Sequence, residues 1–419
     1  MPPVELPVEI SPSFEEYKKA AEKWERVYVK VPVLSAKDTT KYMTGLPGCR
    51  TNQHIGTAES KAQFYPYVAN KRGNANTKIT FETLEIFFGS MIHDFVPNDE
   101  VQTILGEHAA VMGDGMSKSE IAKLVIGSIM ESAGEELALA IPTAKRVDDG
   151  NTTMDLFNGH LTVIRNAITD GKVSVEKKNL VILDHEITVE NAVDTIKSIE
   201  FGLDQRLRKQ ERFLYCDPHI VDLYNEGYLL THPAVPYNEK YEQNFVEGSN
   251  RRMTFAPLDG LAGTGVMWIA PKKNVIYGYD GMSDAEKCEI LRFQPDTLTL
   301  NAKMFFGAGF RTFDFRFLKV IGTQAAITGK PTMPGLDLVD DGEGGKNVKI
   351  TQKEGLPTKY TTDGSDPNDD SETYTQPLAA DEVIGRNESA TVKAIAVNEE
   401  KDEVSDIALM TFTQEDLRN

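Results

Sequence analysis

Four carboxylates near the C-terminus are the side chains whose spacing most suggests chemistry. Asp363, Asp366, Asp369 and Asp370 lie in the stretch "DGSDPNDD", and clustered carboxylates are ligands that calcium prefers. The stretch lacks the D-x-[DN]-x-[DN]-G loop with a distal Glu that would strengthen this interpretation. Asp and Asn also favour turns, because their side chains bond to the nearby backbone. We therefore interpret the cluster as turn chemistry and expect no metal or cofactor.

Catalytic signatures are missing from the rest of the sequence. It contains no HExxH, no GxSxG, no Walker GxxxxGK[ST] and no GxGxxG after a strand. The histidines show no metal-ligand spacing, and His185 beside Glu186 is typical of a turn. A glycosidase needs two carboxylates about 5–10 Å apart in a cleft, but among 64 acidic residues such a pair proves nothing. We expect a protein without enzymatic activity and without catalytic residues.

The charge distribution sets the last part of the chain apart. The 419 residues carry a formal net charge of −19, and residues 330–419 alone contribute −11. So acidic a segment is unsuited to direct binding of nucleic acid. No apolar run approaches the roughly 18 residues that cross a bilayer, and the N-terminus has no signal-peptide pattern. Cys49, Cys216 and Cys288 are few and far apart, which predicts reduced thiols in or near cores.

The first part of the chain predicts an arm, a hairpin and a long helix. Residues 1–45 form the arm, which contains a helix that starts at a Ser13 capping box and turns to strand after Tyr28. Residues 60–90 predict a long β-hairpin, because "AQFYPYVAN" and "TKITFETLEIFFG" flank the polar loop "KRGNAN". Residues 117–141 have apolar side chains at helical spacing and end at a proline, so they predict a long helix.

The remaining segments mix helices and strands. A helix is predicted at 188–203, and strands are predicted in 253–280 and 297–325. This order is neither a regular βαβ repeat nor all-β, so the fold class is α+β. Residues 326–345 combine Pro, Gly and acid, which is typical of a linker. Short strands spaced by turns across 346–419 predict a small immunoglobulin-like β-sandwich.

The C-terminal segment resembles the C-terminal module of chitobiase-type β-hexosaminidases. The motifs "KYTTDGSDP" and "ATVKAIAVN" carry this likeness, which covers about residues 345–414. It implies an immunoglobulin-like module that serves for attachment, spacing or sugar binding. If the module contacts a surface glycan, we expect Tyr360, Asp363 and Asp366 to take part.

The preceding body, about residues 30–325, resembles the major capsid proteins of tailed bacteriophages, which share the HK97-like fold. The likeness lies in the order of parts: an arm, a hairpin in the place of the extended E-loop, a spine helix, and the late stretches "IAPKKNVIYGYD" and "FFGAGF". It implies a capsid core at 46–325 with a peripheral domain and with an axial domain at about 180–295.

The resemblance also implies the function and the partners. Copies of the chain would assemble as hexamers and pentamers into an icosahedral shell around double-stranded DNA, which they would contact only non-specifically. Assembly would take place in the cytoplasm of the host bacterium, with portal, scaffolding and auxiliary capsid proteins as further partners. The mature protein would be part of the virion, with the C-terminal module on its outer surface and no membrane contact.

The tip of the predicted hairpin carries the residues expected to contact a neighbouring subunit, Lys71, Arg72 and Asn74. Some members of the family cross-link their subunits through a Lys and an Asn. Lys61, Lys71 and Lys78 supply the Lys half here, but the sequence identifies no Asn partner. Exposed hairpins also carry lysine because it discourages aggregation.

Two other functions stay open. An encapsulin-type shell protein would share the fold and package an enzyme cargo, but it should lack an external module. A carbohydrate-binding or carbohydrate-active surface protein would carry such a module. It would also need a secretion signal and a sugar cleft, and neither is evident in the sequence.

Overall fold

The computed structural model divides the chain into two compact units, Met1–Gly322 and Thr323–Asn419, called here the N-terminal unit and the C-terminal unit. Helices and strands occur together, so the α+β prediction is confirmed. The structure describes residues 12–60, 77–97, 118–183, 185–231, 244–281, 288–292, 297–331, 333–340, 346–352, 356–368, 370–379, 383, 389–398, 403–405 and 407–413.

The described helices are α1 (Phe14–Tyr28), α2 (Val31–Ser35), α3 (Lys37–Thr40), α4 (Lys118–Thr143), α5 (His160–Thr169), α6 (Ala192–Phe201), α7 (Gln205–Arg208), α8 (Pro218–Thr231) and α9 (Gln324–Thr328). The strands of the N-terminal unit are β1 (Thr44–Pro47), β2 (Gln53–Ser60), β3 (Thr77–Leu84), β4 (Phe87–Phe95), β5 (Leu180–Leu183), β6 (Arg212–Cys216), β7 (Met253–Pro257), β8 (Val266–Ala270), β9 (Val275–Tyr279), β10 (Cys288–Arg292), β11 (Leu298–Phe310) and β12 (Lys319–Thr323). Those of the C-terminal unit are β13 (Gly335–Asp340), β14 (Lys346–Thr351), β15 (Thr358–Thr361), β16 (Glu372–Thr373), β17 (Ser389–Asn398), β18 (Glu403–Val404) and β19 (Ala408–Thr413).

The helix α1 begins at the predicted capping box. The backbone N–H of Ser13 donates to Glu16 Oε2 over 2.7 Å, which satisfies one of the free donors at the helix start. The apolar face that includes Tyr17, Ala21 and Tyr28 is buried against α4, β10 and β11. The predicted arm helix therefore packs on its own chain.

Two short helices, α2 and α3, follow α1, so the strand predicted after Tyr28 is wrong. The β-branched Val29, Val31 and Val33 give this stretch its strand-like pattern. Pro32 lies in the first turn of α2, where its fixed φ suits a helix and its missing N–H costs no hydrogen bond. Packing along α4 then overrides the local propensity of the valines.

The long helix α4 has 26 residues, about 39 Å at 1.5 Å per residue. Its glycine at position 134 allows α2 to approach closely, because an added Cβ would lie 2.7 Å from the Pro32 carbonyl oxygen. The buried apolar residues of α4 are Ile121, Ala122, Val125, Ile126, Met130, Leu137, Ala140 and Ile141. They make α4 the helix against which the arm and the first sheet pack.

Two five-stranded sheets organise the N-terminal unit. The first has the order β1-β9-β11-β10, with β4 also paired to β11, and one of its faces packs on α1 and α4. The second has the order β5-β12-β8-β6-β7 and packs on α6 and α8. Strands β9 and β10 belong to the first sheet although they fall within the range 180–295 that the resemblance implies for the axial domain.

The region of the predicted hairpin contains two different pairings. Strand β3 pairs with β2 in an antiparallel ribbon, from Gln53 opposite Leu84 to Ser60 opposite Thr77. Residues 87–90, predicted as part of the hairpin, belong instead to β4 and pair with β11. The stretch "AQFYPYVAN", predicted as the first hairpin strand, lies outside the described residues.

The C-terminal unit is built from short strands. Four of them form a sheet in the order β16-β15-β17-β18, with β19 also on β17, and β13 pairs with β14. Strand β13 lies within residues 326–345, the predicted linker. The core of the C-terminal unit contains Val348, Val392 and Phe412 together with other apolar side chains. The predicted immunoglobulin-like β-sandwich is confirmed as the architecture of this unit.

Candidate assembly surfaces

One face of the β2–β3 ribbon carries large apolar side chains that are exposed. Ile79 is 56% exposed and Phe81 is 66% exposed. They lie opposite Ala58 and Gly56, and directly opposed residues share a face. A Cβ added to Gly56 would come within 3.0 Å of Phe81 Cε1, so the glycine leaves space for the aromatic ring across the ribbon. Two neighbouring exposed apolar side chains make this face a candidate surface for contact with another protein.

Polar contacts fix the ribbon to the segments at both ends of α5. After α5, the Lys172 ammonium pairs with the Glu82 carboxylate on β3 over 2.8 Å. Before α5, Asn158 Nδ2 donates to Glu85 Oε2 over 3.0 Å. Glu82 and Glu85 are three residues apart, so the two contacts hold the inner end of the ribbon in one orientation.

The first five-stranded sheet also exposes apolar side chains. The rings of Phe88 on β4 and Phe305 on β11 lie with centroids 4.6 Å apart. Ile92, further along β4, is 71% exposed, and Leu291 on β10 is half exposed. The strand register puts these four side chains on one face, opposite the face that packs on α1 and α4. An antiparallel sheet with one solvated face normally has polar residues there, so this face is a second candidate assembly surface.

The residues predicted to contact a neighbouring subunit cannot be placed on either surface. Lys71, Arg72 and Asn74 lie outside the described residues, as does Lys61. Lys78 is part of β3. The sequence analysis singled out charged residues at the hairpin tip and did not single out the exposed apolar side chains on β3. The signal was the alternation of "ITF" in "TKITFETL", which puts Ile79 and Phe81 on one side of a strand.

Two of the three residues predicted to contact a glycan come together beside Lys393. Asp366 Oδ1 pairs with the Lys393 ammonium over 2.7 Å. Asp363 Oδ1 accepts a hydrogen bond from the Ser365 backbone N–H over 2.9 Å and one from its hydroxyl. These hydrogen bonds from Ser365 hold the pKa of the Asp363 carboxyl below its ordinary value. The sequence interpretation of this stretch as turn chemistry agrees with these contacts.

The third residue, Tyr360, lies on the opposite face of the sheet from Lys393. It is opposite Ala394 in the register, whereas Lys393 is opposite the next residue along β15, and successive strand residues alternate between faces. The Tyr360 hydroxyl donates to Glu372 Oε2 over 3.0 Å, and its ring meets that of Tyr374 edge-on. The three predicted residues therefore do not form one binding face.

The three cysteines of the N-terminal unit are free and buried, as predicted. Burial raises the pKa of each thiol, that of Cys288 to about 12. A thiolate is the reactive form of cysteine, so none of the three is prepared for nucleophilic chemistry at neutral pH.

His160 is the most deeply buried of the described histidines. Its Nδ1 lies 3.2 Å from the carbonyl oxygen of Ile141 at the end of α4, and its Nε2 lies 3.1 Å from that of Ile276 in β9. A neutral imidazole has one N–H, so it can donate to only one of these two acceptors. Burial lowers the pKa of His160 to about 4, so the ring is neutral at pH 7. It joins the long helix to the first sheet.

Metal binding and membrane crossing find no support in the part of the chain that the structure describes. No group of three or more His, Cys, Asp or Glu side chains in these ranges could hold a metal ion. No described helix is both long and apolar enough to cross a membrane.

Comparison with known protein families gives a match within the C-terminal unit. The family model named "Fn3 associated" matches residues 348–412, which run from β14 into β19. No curated protein matches the chain.

Comparison with solved structures finds chains from capsid and procapsid particles. A chain of the satellite phage P4 procapsid with its size determination (Sid) protein is 11% identical, with 70% of this chain and 90% of that chain covered and a TM-score of 0.47. The capsid of an empty GTA particle is 11% identical over 69% of this chain and 90% of that chain, with a TM-score of 0.44. The capsid of cyanophage A-1(L) is 10% identical over 70% of this chain and 92% of that chain, with a TM-score of 0.43.

Proposed function

We propose that this chain is the major capsid protein of a tailed bacteriophage, a structural subunit that assembles with copies of itself. The observation that supports this most is the order of parts in the N-terminal unit. A helical arm comes first, then an antiparallel ribbon that forms a sheet of its own, then a 26-residue helix, and then two five-stranded sheets. That is the order of arm, E-loop, spine helix and sheet domains that the sequence resemblance to HK97-like capsid proteins implies.

In its finer form, the proposal has the subunits arranged as hexamers and pentamers in an icosahedral shell around double-stranded DNA. The C-terminal unit is displayed on the outside of the shell, where its negative charge suits exposure to solvent. Portal, scaffolding and auxiliary capsid proteins are the further partners. The subunit performs no chemistry of its own and functions in the virion, after assembly in the bacterial cytoplasm.

The two exposed apolar faces support a subunit that depends on its neighbours. Phe81 on the ribbon and Ile92 on the first sheet are each more than 60% exposed, although burial of one such side chain stabilises by about 1.5–3 kcal/mol. Several of these side chains on two faces give a large free-energy gain when another copy covers them.

Electron microscopy of the full chain, expressed alone and purified, tests this proposal. We expect closed shells, or rings of five and six subunits. Nuclease-protected DNA inside shells from an infected host would separate a phage capsid from an encapsulin, which would contain an enzyme. A uniform field of single subunits would contradict the proposal and would reopen the search for a sugar cleft.

Glycan contact by Tyr360, Asp363 and Asp366 stays a prediction within this proposal. The full chain would bind a glycan array, and Asp366→Asn would weaken that binding. If the chain binds no glycan at millimolar sensitivity, these residues serve only the stability of the module.

A further inference from the structure

Four cations form a straight stripe along α1. Lys19, Lys23, Arg26 and Lys30 follow one another at intervals of four, three and four residues, and all four are exposed. The backbone stays helical through Lys30, two residues beyond the end of α1. At 3.6 residues per turn the four side chains fall within about 60° of one another around the helix axis.

The stripe points away from the core on which α1 packs. The buried residues Tyr17, Ala21 and Tyr28 occupy the opposite side of the helix. Across the residues that the structure describes, none of the four cations takes part in an ion pair. The Lys23 ammonium lies 5.3 Å from the centre of the Trp24 ring, a contact that leaves its charge in place, so the four charges are available to a partner from outside the subunit.

Neighbouring charges leave the stripe positive. Of the four acids on α1, only Glu25 lies well away from the stripe around the helix axis, and it is partly exposed. Glu15 lies one turn before the stripe, and Glu16 and Glu22 lie beside it, so four cations face three acids. A fifth cation adjoins them, since the Lys123 ammonium of α4 lies 4.3 Å from the centre of the Trp24 ring on α1.

We propose that this stripe is the surface through which the subunit contacts the phosphate backbone of double-stranded DNA. The proposal rests on the function proposed above, in which the shell encloses DNA, and it names the residues that face that DNA. A row of ammonium and guanidinium groups neutralises the regularly spaced phosphate charges of a duplex whatever its base sequence, so we expect contact to the phosphate backbone.

The geometry of the stripe suits a phosphate backbone better than a folded acidic protein. Its 11 residues of rise give a length of about 16 Å. Double-stranded DNA carries one negative charge per about 1.7 Å of its axis, so a stripe of this length meets several phosphates in any register. A protein surface would have to place its carboxylates in one matching row. The chain as a whole has a charge of −19, so a local stripe is the kind of feature that can bring it to a polyanion.

Binding of the full chain to a mixed-sequence DNA duplex of about 30 base pairs tests the proposal, measured between about 50 and 200 mM salt. The test variant carries Lys19→Gln, Lys23→Gln, Arg26→Gln and Lys30→Gln. A control variant removes the same charge from four exposed lysines elsewhere that form no ion pair in the described structure, through Lys145→Gln, Lys209→Gln, Lys273→Gln and Lys349→Gln. Electron microscopy of all three proteins reports on shell assembly.

The proposal predicts that the wild-type chain binds the duplex with a slope of log K against log salt of about −3 to −4, which four phosphate contacts give. The control variant keeps this slope. The test variant loses about tenfold or more in affinity, its slope falls toward zero, and it still assembles.

Equal duplex binding by the wild type and the test variant would overturn the proposal. So would a test variant that no longer assembles while its binding of duplex is unchanged. That outcome would make the stripe a contact between copies, for which the exposed Glu131 and Glu135 of α4 are the available acids. If none of the three proteins forms shells, the proposed function is contradicted. Their affinities for the DNA duplex can still be compared on the unassembled subunit.

Discussion

Glu200 at the end of α6 and Arg212 at the start of β6 form an ion pair that is almost completely shielded from solvent. Both side chains are about 1% exposed, and Arg212 Nη2 donates to Glu200 Oε1. Arg212 Nη1 also donates to the carbonyl oxygens of Arg208, over 2.8 Å, and Gln210, over 3.1 Å. One guanidinium therefore holds α6, the turn after α7, and β6 together at the edge of the second sheet.

Removing one member of this pair should be costly, because the other charge would stay buried and unpaired. Arg212→Met should lower the free energy of unfolding by about 3–5 kcal/mol, measured by urea unfolding of the purified subunit. The double variant Glu200→Met/Arg212→Met should cost less than the single one, since no buried charge is left. Arg208→Gln is the matched control at a partly exposed member of the cluster, and it should cost less than about 1 kcal/mol. A double variant worse than the single one would contradict this reasoning.

The free energy of unfolding of the subunit should fall in mild acid because His160 is protonated more readily in the unfolded chain. Its pKa is about 4 in the folded protein and about 6.5 in the unfolded chain, so between these values the unfolded chain binds the additional proton. The contribution of the neutral His160 ring to the free energy of unfolding is fully present above pH 6.5. It is lost as the pH falls to 4, for a total of about 3 kcal/mol. In His160→Gln, the slope of stability against pH in this window should shrink by about 1.4 kcal/mol per pH unit. An unchanged slope would show that this histidine is not held neutral.

Two glycines of α4 should respond in opposite directions to the same substitution. Gly134→Ala would put a methyl group 2.6 Å from Ser35 Cβ and 2.7 Å from the Pro32 carbonyl oxygen, which should destabilise the subunit by about 1–3 kcal/mol. Gly127 has no atom within 4 Å of an added Cβ, so Gly127→Ala should stabilise by up to about 1 kcal/mol through helix propensity. Thermal unfolding of the two variants gives the comparison. A loss of stability in both would mean that the position of α2 does not decide the effect.

The apolar face of the ribbon should matter for assembly and not for folding. Ile79→Thr with Phe81→Ser removes two exposed apolar side chains, so the unfolding midpoint of the subunit should change little while the yield of shells drops about tenfold or more. Val175→Thr with Ile182→Thr is the matched control, since it removes two exposed apolar side chains from other parts of the unit. Equal yields of shells from both variants would contradict the assignment of the ribbon face.

Local features of the sequence were sufficient for much of the fold. The capping box at Ser13 and the apolar spacing of α1 identified that helix, and the spacing within 117–141 identified α4. The turn-rich strands after residue 346 identified the β-sandwich. These features depend on contacts within one turn or between adjacent residues, which a sequence pattern records directly.

Contacts between distant segments could not be predicted in the same way. The pairing of β4 with β11 joins Phe95 to Leu298, about 200 positions apart, and no local pattern separates β4 from the hairpin before it. The strand expected after Tyr28 failed because packing on Gly134 of α4 outweighs valine propensity. The ion pair of Glu200 and Arg212 gave no signal either, because charged residues at such a spacing are common on surfaces.

The mass of the full chain in solution tests the central proposal most directly. Sedimentation equilibrium over a dilution series measures it without any assumption about particle shape. A capsid subunit should sediment as rings of five or six copies or as particles of many more, and should keep those sizes on dilution. A single species of 46.5 kDa at every concentration, the mass of one chain, would contradict the assignment of this protein as a shell subunit.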